Sequence, residues 1–157
     1  MQHLDLVENT DVQFILQTGK YYHAQITDTL KGRQPKNLVV TDFISDMAAA
    51  YKAADLVISR AGASSISEFC LIGKPVILVP SPNVAEDHQT KNAMALVEKQ
   101  AAIYVKDADA PATLLKQAIE LVNDDKKLQN LSANILTLAL PDSATIIAKE
   151  VIKIMRK

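Results

Sequence analysis

Short apolar runs with β-type composition alternate along the chain with longer stretches of helical periodicity, and this alternation most constrains the fold. Parallel strands need a crossover segment between them, usually a helix, so the pattern predicts an α/β domain with a Rossmann-like parallel sheet and flanking helices. Strands are expected at Val12–Thr18, Asn37–Thr41, Leu56–Ser59, Pro75–Val79 and Ala102–Val105. Helices are expected at Tyr21–Leu30, ended by Lys31-Gly32-Arg33, and at Ser45–Ala54, Ser65–Ile72, closed by Gly73, and Gln89–Lys99. Beyond the fifth strand the pattern changes: Pro111–Asn123, Lys126–Leu138 and Ser143–Met155 are consecutive helices with no strand between them. Residues 107–157 therefore read as the helical C-terminal part of one domain spanning 1–157. Gln2–Asn9 reads as the tail of a helix or a loop. A doubly wound nucleotide-binding domain opens with a strand and a glycine-rich turn, and neither precedes Val12. The expectation is a domain truncated at its N-terminus, with its first strand and phosphate loop missing.

Composition narrows the function classes. A length of 157 residues suits a single core. Hydrophobic residues make up 48% of the chain, but no apolar run approaches the roughly 20 residues needed to span a bilayer, and the N-terminus carries no signal pattern. The chain is expected to be soluble and intracellular. A formal net charge of -1 offers no electrostatic footprint for nucleic acid, which is not expected as a partner. Cys70, the single cysteine, lies among Phe69, Leu71 and Ile72 and reads as a small core residue. His3, His23 and His88 are scattered without paired ligand spacing, so neither a metal nor another cofactor is expected.

Three segments could carry chemistry. In the first, strand, tight turn and helix follow one another through Asp55–Glu68, and Arg60-Ala61-Gly62-Ala63 places small residues where a ligand could approach the backbone. The free N–H groups and dipole of the following helix suit a pyrophosphate, Ser64 and Ser65 could add donors, and Glu68 sits one turn in, where a carboxylate could accept both ribose hydroxyls. Ser65-x-x-Glu68 is equally the spacing of a capping box, in which the two side chains satisfy the orphan donors of the helix start. Pattern alone leaves both readings open.

The second segment, Pro80-Ser81-Pro82-Asn83-Val84-Ala85-Glu86-Asp87-His88-Gln89, follows the fourth strand. Loops at the carboxyl ends of parallel strands are where α/β proteins bind ligands, and His88, Gln89 and Asn92 could bond sugar hydroxyls. The bland alternative is that Asp87 caps the helix and His88 is solvated. A hydrolytic triad of Ser64, Asp87 and His88 lacks the G-x-S-x-G elbow. The third segment is Thr41-Asp42-Phe43-Ile44-Ser45-Asp46-Met47, in which Phe43 and Ile44 could flank a flat base, with the Ile44 backbone bonding its edge, or form an apolar staple at the helix entrance. At the C-terminus Lys149, Lys153 and Arg156 recur at helical intervals, as in a docking helix with a solvated basic face.

Thr41–Met47, Ala54–Ala63, Ser65–Glu68, Pro80–Pro82, Asp87–Gln89 and Asn92-Ala93 together, in this order and spacing, closely resemble the MurG glycosyltransferases over about residues 10–155. The resemblance implies a two-domain GT-B architecture and inverting transfer of N-acetylglucosamine from UDP-N-acetylglucosamine to lipid I, making lipid II for peptidoglycan. The donor would be held by the C-terminal domain. By position, Phe43 and Ile44 match residues beside the uracil, Ala63–Ser65 the phosphate-binding helix start, Glu68 the ribose-binding carboxylate, and His88 and Gln89 a polar pair against the sugar. Met47, Arg60, Gly62 and Asn92 complete the donor-binding set. The family's N-terminal domain, with its acceptor loops, candidate general base and membrane-facing patch, has no counterpart here, so the chain alone is expected to lack transferase activity. The implied location is the cytoplasmic face of the bacterial inner membrane. Alternatives are another GT-B enzyme, such as a UDP-N-acetylglucosamine 2-epimerase, or a non-catalytic nucleotide-binding module.

Overall fold

A computed structural model describes residues 3–84 and 87–155. Its elements are α1 (Leu4–Glu8), β1 (Phe14–Gln17), α2 (Gly19–Leu30), β2 (Leu38–Thr41), α3 (Met47–Ala53), β3 (Val57–Ser59), α4 (Ala63–Ile72), β4 (Val76–Leu78), α5 (His88–Val97), β5 (Ile103–Tyr104), α6 (Ala110–Val122), α7 (Asp125–Leu136) and α8 (Ser143–Met155). Each expected strand and helix is present, and the bounds shift where local chemistry decides them. The helix expected from Ser45 starts at Met47 because the Asp46 carboxylate accepts from Ala49 N–H at 2.9 Å and caps it. The helix expected from Ser65 starts two residues earlier, at Ala63. It ends as expected at Gly73, whose φ of 62° suits glycine, and Lys74 N–H closes back onto Phe69 C=O at 3.1 Å. A Cβ at Gly73 would stand 2.6 Å from Leu136 Cγ, so glycine also lets α7 pack against this turn.

All strand pairs are parallel, but the sheet comes in two parts where a single one was expected: β1–β2, and β3–β4–β5. Doubly wound sheets run in the order 3-2-1-4-5-6. The observed pairs fit that order if β1 and β2 take the second and third places and β3, β4 and β5 the last three. No pairing joins β1 to β3 among the described residues. Ile15 on β1 and Ile58 on β3 are exposed.

Strand β4 is the buried axis of the larger sheet. Its side chains alternate between faces, as a strand's must. Val76 and Leu78 pack with Phe69, Cys70, Ala93, Leu96 and Ile135 from α4, α5 and α7, whereas Ile77 and Val79 pack with Ala118, Leu121 and Leu131 from α6 and α7. Cys70 is thus a core residue, as expected, and burial pushes its thiol pKa up. A third cluster, Val7, Leu30 and Leu38, joins α1 and α2 to β2, and Leu115 of α6 packs against it. Helix α8 buries none of its residues. No helix among the described residues is long and apolar enough to cross a membrane.

Candidate functional site

The strands run parallel, so the loops that follow them gather at one end, and hydrogen bonds lace those loops together. Arg60, just past β3, donates through Nη1 to the carbonyls of Val79 (3.1 Å) and Pro80 (3.3 Å) after β4, and pairs with Asp107 after β5. Gln89 Oε1 accepts from Ala61 N–H at 3.2 Å and from Ser81 N–H at 2.9 Å. Asn92 Nδ2 donates to Ala61 C=O at 3.1 Å. Ala61 is fully buried, and the two α5 amides take up both of its backbone polar groups. Arg60, Gln89 and Asn92 therefore hold the loops in register, and the part of Gln89 left to face a ligand is its amide nitrogen.

At the heart of this end lies the turn Ala61-Gly62 entering α4. Gly62 is the N-cap, and no side chain caps the helix. The first helical bond runs from Ile66 N–H to Gly62 C=O at 3.0 Å, so the N–H groups of Ala63, Ser64 and Ser65 point out of the helix start with its positive dipole end. Gly62 has φ -69° and ψ 141°, a conformation open to any residue, and a Cβ there would meet nothing nearer than Ser65 Oγ at 3.9 Å. Neither backbone strain nor internal packing demands a glycine at this position.

The capping-box reading of Ser65 and Glu68 fails here. With the N-cap at Gly62, Ser65 is already inside the helix, and the Glu68 carboxylate accepts instead from the Tyr51 hydroxyl of α3 at 3.1 Å. Burial first, then the hydrogen bond and negative charge of Glu68, raise the Tyr51 pKa above its ordinary value of 10.0. Asp87 likewise holds the N-cap position of α5, in a left-handed conformation with φ 55°, without a side-chain cap bond. Ala85 and Glu86 of the same loop lie outside the described residues, as does Arg156 of the basic C-terminal series.

On the β2 side, Phe43 is 64% exposed and forms no staple, leaving its ring face free to meet a planar group. The expected use of Ile44 is narrowed: its N–H already donates to Gln17 Oε1 at 2.8 Å, so its carbonyl is the backbone group left for a base edge. Met47 opens α3 and His88 opens α5. Tyr51, Asp107 and Gln17 were not picked out from the sequence. Tyr51 lies in an alanine-rich helix and the other two are isolated polar residues, so no spacing marks them. Two surface hollows, one beside Thr10 and Asn37 and one beside Gly73 and Leu136, are lined by none of the site residues.

Comparison with known proteins identifies the family. The chain is 70% identical over 94% of its length to the UDP-N-acetylglucosamine--N-acetylmuramyl-(pentapeptide) pyrophosphoryl-undecaprenol N-acetylglucosamine transferase of Bacteroides thetaiotaomicron, and covers 40% of that protein. It is 60% identical to the transferase of the same name from Phocaeicola vulgatus, over 100% of the chain and 42% of the relative. The chain thus spans about two-fifths of the length of the curated relatives it matches. Among solved structures it superposes on MurG of Acinetobacter baumannii with a TM-score of 0.81 and 29% identity, covering 97% of this chain and 47% of that one. The resemblance carried by the motifs is borne out. Residues 2–147 match the model of the glycosyltransferase family 28 C-terminal domain, and the chain belongs to that family.

Proposed function

We propose that the chain is the UDP-N-acetylglucosamine-binding half of an inverting N-acetylglucosaminyltransferase that converts lipid I to lipid II in peptidoglycan synthesis. The observation that carries this reading is the start of α4, capped by no side chain, with the exposed Glu68 carboxylate one turn further on. Backbone amides and the helix dipole favour a diphosphate there, and they stabilise the charge that grows on UDP as the glycosidic bond breaks. Phe43 and the Ile44 carbonyl flank the uracil, Glu68 accepts from the ribose hydroxyls, and His88 and the Gln89 amide nitrogen meet the sugar. The transferases named above support the donor and acceptor assignment.

Deprotonation of the acceptor hydroxyl needs a general base, and we assign it to the part of the longer protein that this chain does not cover. Such a division fits the general tendency of ligand sites to form between domains. The same remainder would supply the strand between β1 and β3 and cover the exposed apolar residues of α8, such as Ile147, Val151 and Ile154. Acceptor binding, membrane contact and the setting at the cytoplasmic face of the membrane belong to the whole protein. The chain alone is expected to show no transfer.

Calorimetric or NMR titration with UDP-N-acetylglucosamine, UDP and UDP-glucose tests the reading. UDP binding is expected, weakened about tenfold or more by Glu68→Ala, since a hydrogen bond to a charged group contributes about 1.5–3 kcal/mol. Equal binding by wild type and Glu68→Ala would remove the ribose assignment. Preference for UDP-glucose over the N-acetyl sugar would remove the donor.

A further inference from the structure

We propose that Tyr51 is a positioning residue for the nucleoside: through its hydroxyl it fixes the Glu68 carboxylate in the orientation that accepts the ribose diol. The inference rests on the donor-binding reading above and names a residue to which that reading gives no role. Glu68 is exposed on α4, and a glutamate in such a setting would ordinarily sample several rotamers. Here its Oε2 accepts from the Tyr51 hydroxyl at 3.1 Å.

The tyrosine is itself anchored. Its ring is half-buried against the core cluster and meets Phe69 edge-on, with centroids 5.8 Å apart and planes at 82°. Phe69 is 1% exposed, so the Tyr51 ring leans on a side chain with little room to move. The hydroxyl is the one polar handle of that ring, and it reaches out of the core to the carboxylate. An ionised carboxylate offers about four lone-pair sites, so one bond from Tyr51 leaves enough acceptor capacity for both hydroxyls of a ribose. With the carboxylate oriented before the ligand arrives, less rotamer freedom is lost on binding. Tyr51 sits on α3 and Glu68 on α4, so the bond also ties together the helices that follow β2 and β3.

Tyr51→Phe keeps the ring packing and removes only the hydroxyl, which makes it the test. Affinities for UDP and for 2′,3′-dideoxy-UDP are measured by NMR titration in wild type, Tyr51→Phe, Glu68→Ala and the double variant. Tyr51→Phe is expected to weaken UDP about three- to tenfold, the usual range for one hydrogen bond, while leaving the dideoxy ligand unchanged. In the Glu68→Ala background the same change is expected to cost nothing further. Equal weakening of both ligands would assign Tyr51 a purely structural role. Unchanged UDP binding in Tyr51→Phe, with Glu68→Ala still impaired, would overturn the positioning role and leave the ribose assignment of Glu68 intact. If Glu68→Ala binds UDP as wild type does, the ribose assignment of Glu68 falls and this proposal with it.

Discussion

The glycines at the two ends of α4 sit in opposite settings. At Gly73 the backbone is left-handed and Leu136 fills the space a Cβ would need. Gly73→Ala is expected to lower stability by about 2 kcal/mol or more, from left-handed strain of about 1–2 kcal/mol plus the clash, read as a fall in the thermal unfolding midpoint. At Gly62 neither condition holds, and the glycine leaves the helix start uncapped. Gly62→Ser is expected to keep or raise stability by a few tenths of a kcal/mol, because serine is a good N-cap. The same substitution is expected to weaken UDP binding about tenfold, because its side chain occupies the amides and the space beside them. Equal UDP affinity in Gly62→Ser and wild type would argue that no ligand uses this turn. The residue types at these positions are visible in the sequence; which glycine the fold requires is not, because φ and the neighbouring atoms decide it.

Among the elements, the first unit is held by a side chain that no motif announces. Asn37, just before β2, donates through Nδ2 to the carbonyls of Val7 (2.7 Å), Thr10 (3.0 Å) and Val12 (2.8 Å), pinning α1 and the approach to β1. Asn37→Ala is expected to destabilise this unit by about 1–3 kcal/mol, the usual cost of leaving buried polar groups unpaired. Hydrogen exchange would detect it as faster exchange across Leu4–Phe14, with β4 and α4 unaffected. Exchange that rises equally in β4 would mean that the unit does not open by itself. Helix and strand positions were readable because hydrophobic periodicity is a local property. The start of α3 shifted because Asp46 rather than Ser45 caps it, and that of α4 because its N-cap is Gly62, with no side-chain cap at all, which no pattern of serines announces.

For the molecule as a whole, the break between β1 and β3 sets the stability expected of the chain and its relation to a longer protein. The edges facing that break present unpaired backbone and the exposed side chains Ile15 and Ile58. Extending the chain at its N-terminus to include the preceding segment of the longer protein is expected to raise the unfolding midpoint and tighten UDP binding, checked by calorimetry on both forms. No change in either would argue against a strand inserted between β1 and β3. Alternation of apolar runs, the small-residue turn before α4 and the three loop segments were legible in the order of residues, because each depends on neighbours a few positions apart. That order was enough for the α/β class and for parallel strands alternating with flanking helices. Tertiary structure alone decided that Glu68 faces Tyr51 rather than its own helix start, that Gln89 and Asn92 brace Ala61, and that Arg60 ties three loops together. Each of those bonds joins residues 17 to 47 positions apart, a separation at which sequence spacing carries no geometric information until the sheet has brought the loops to one end.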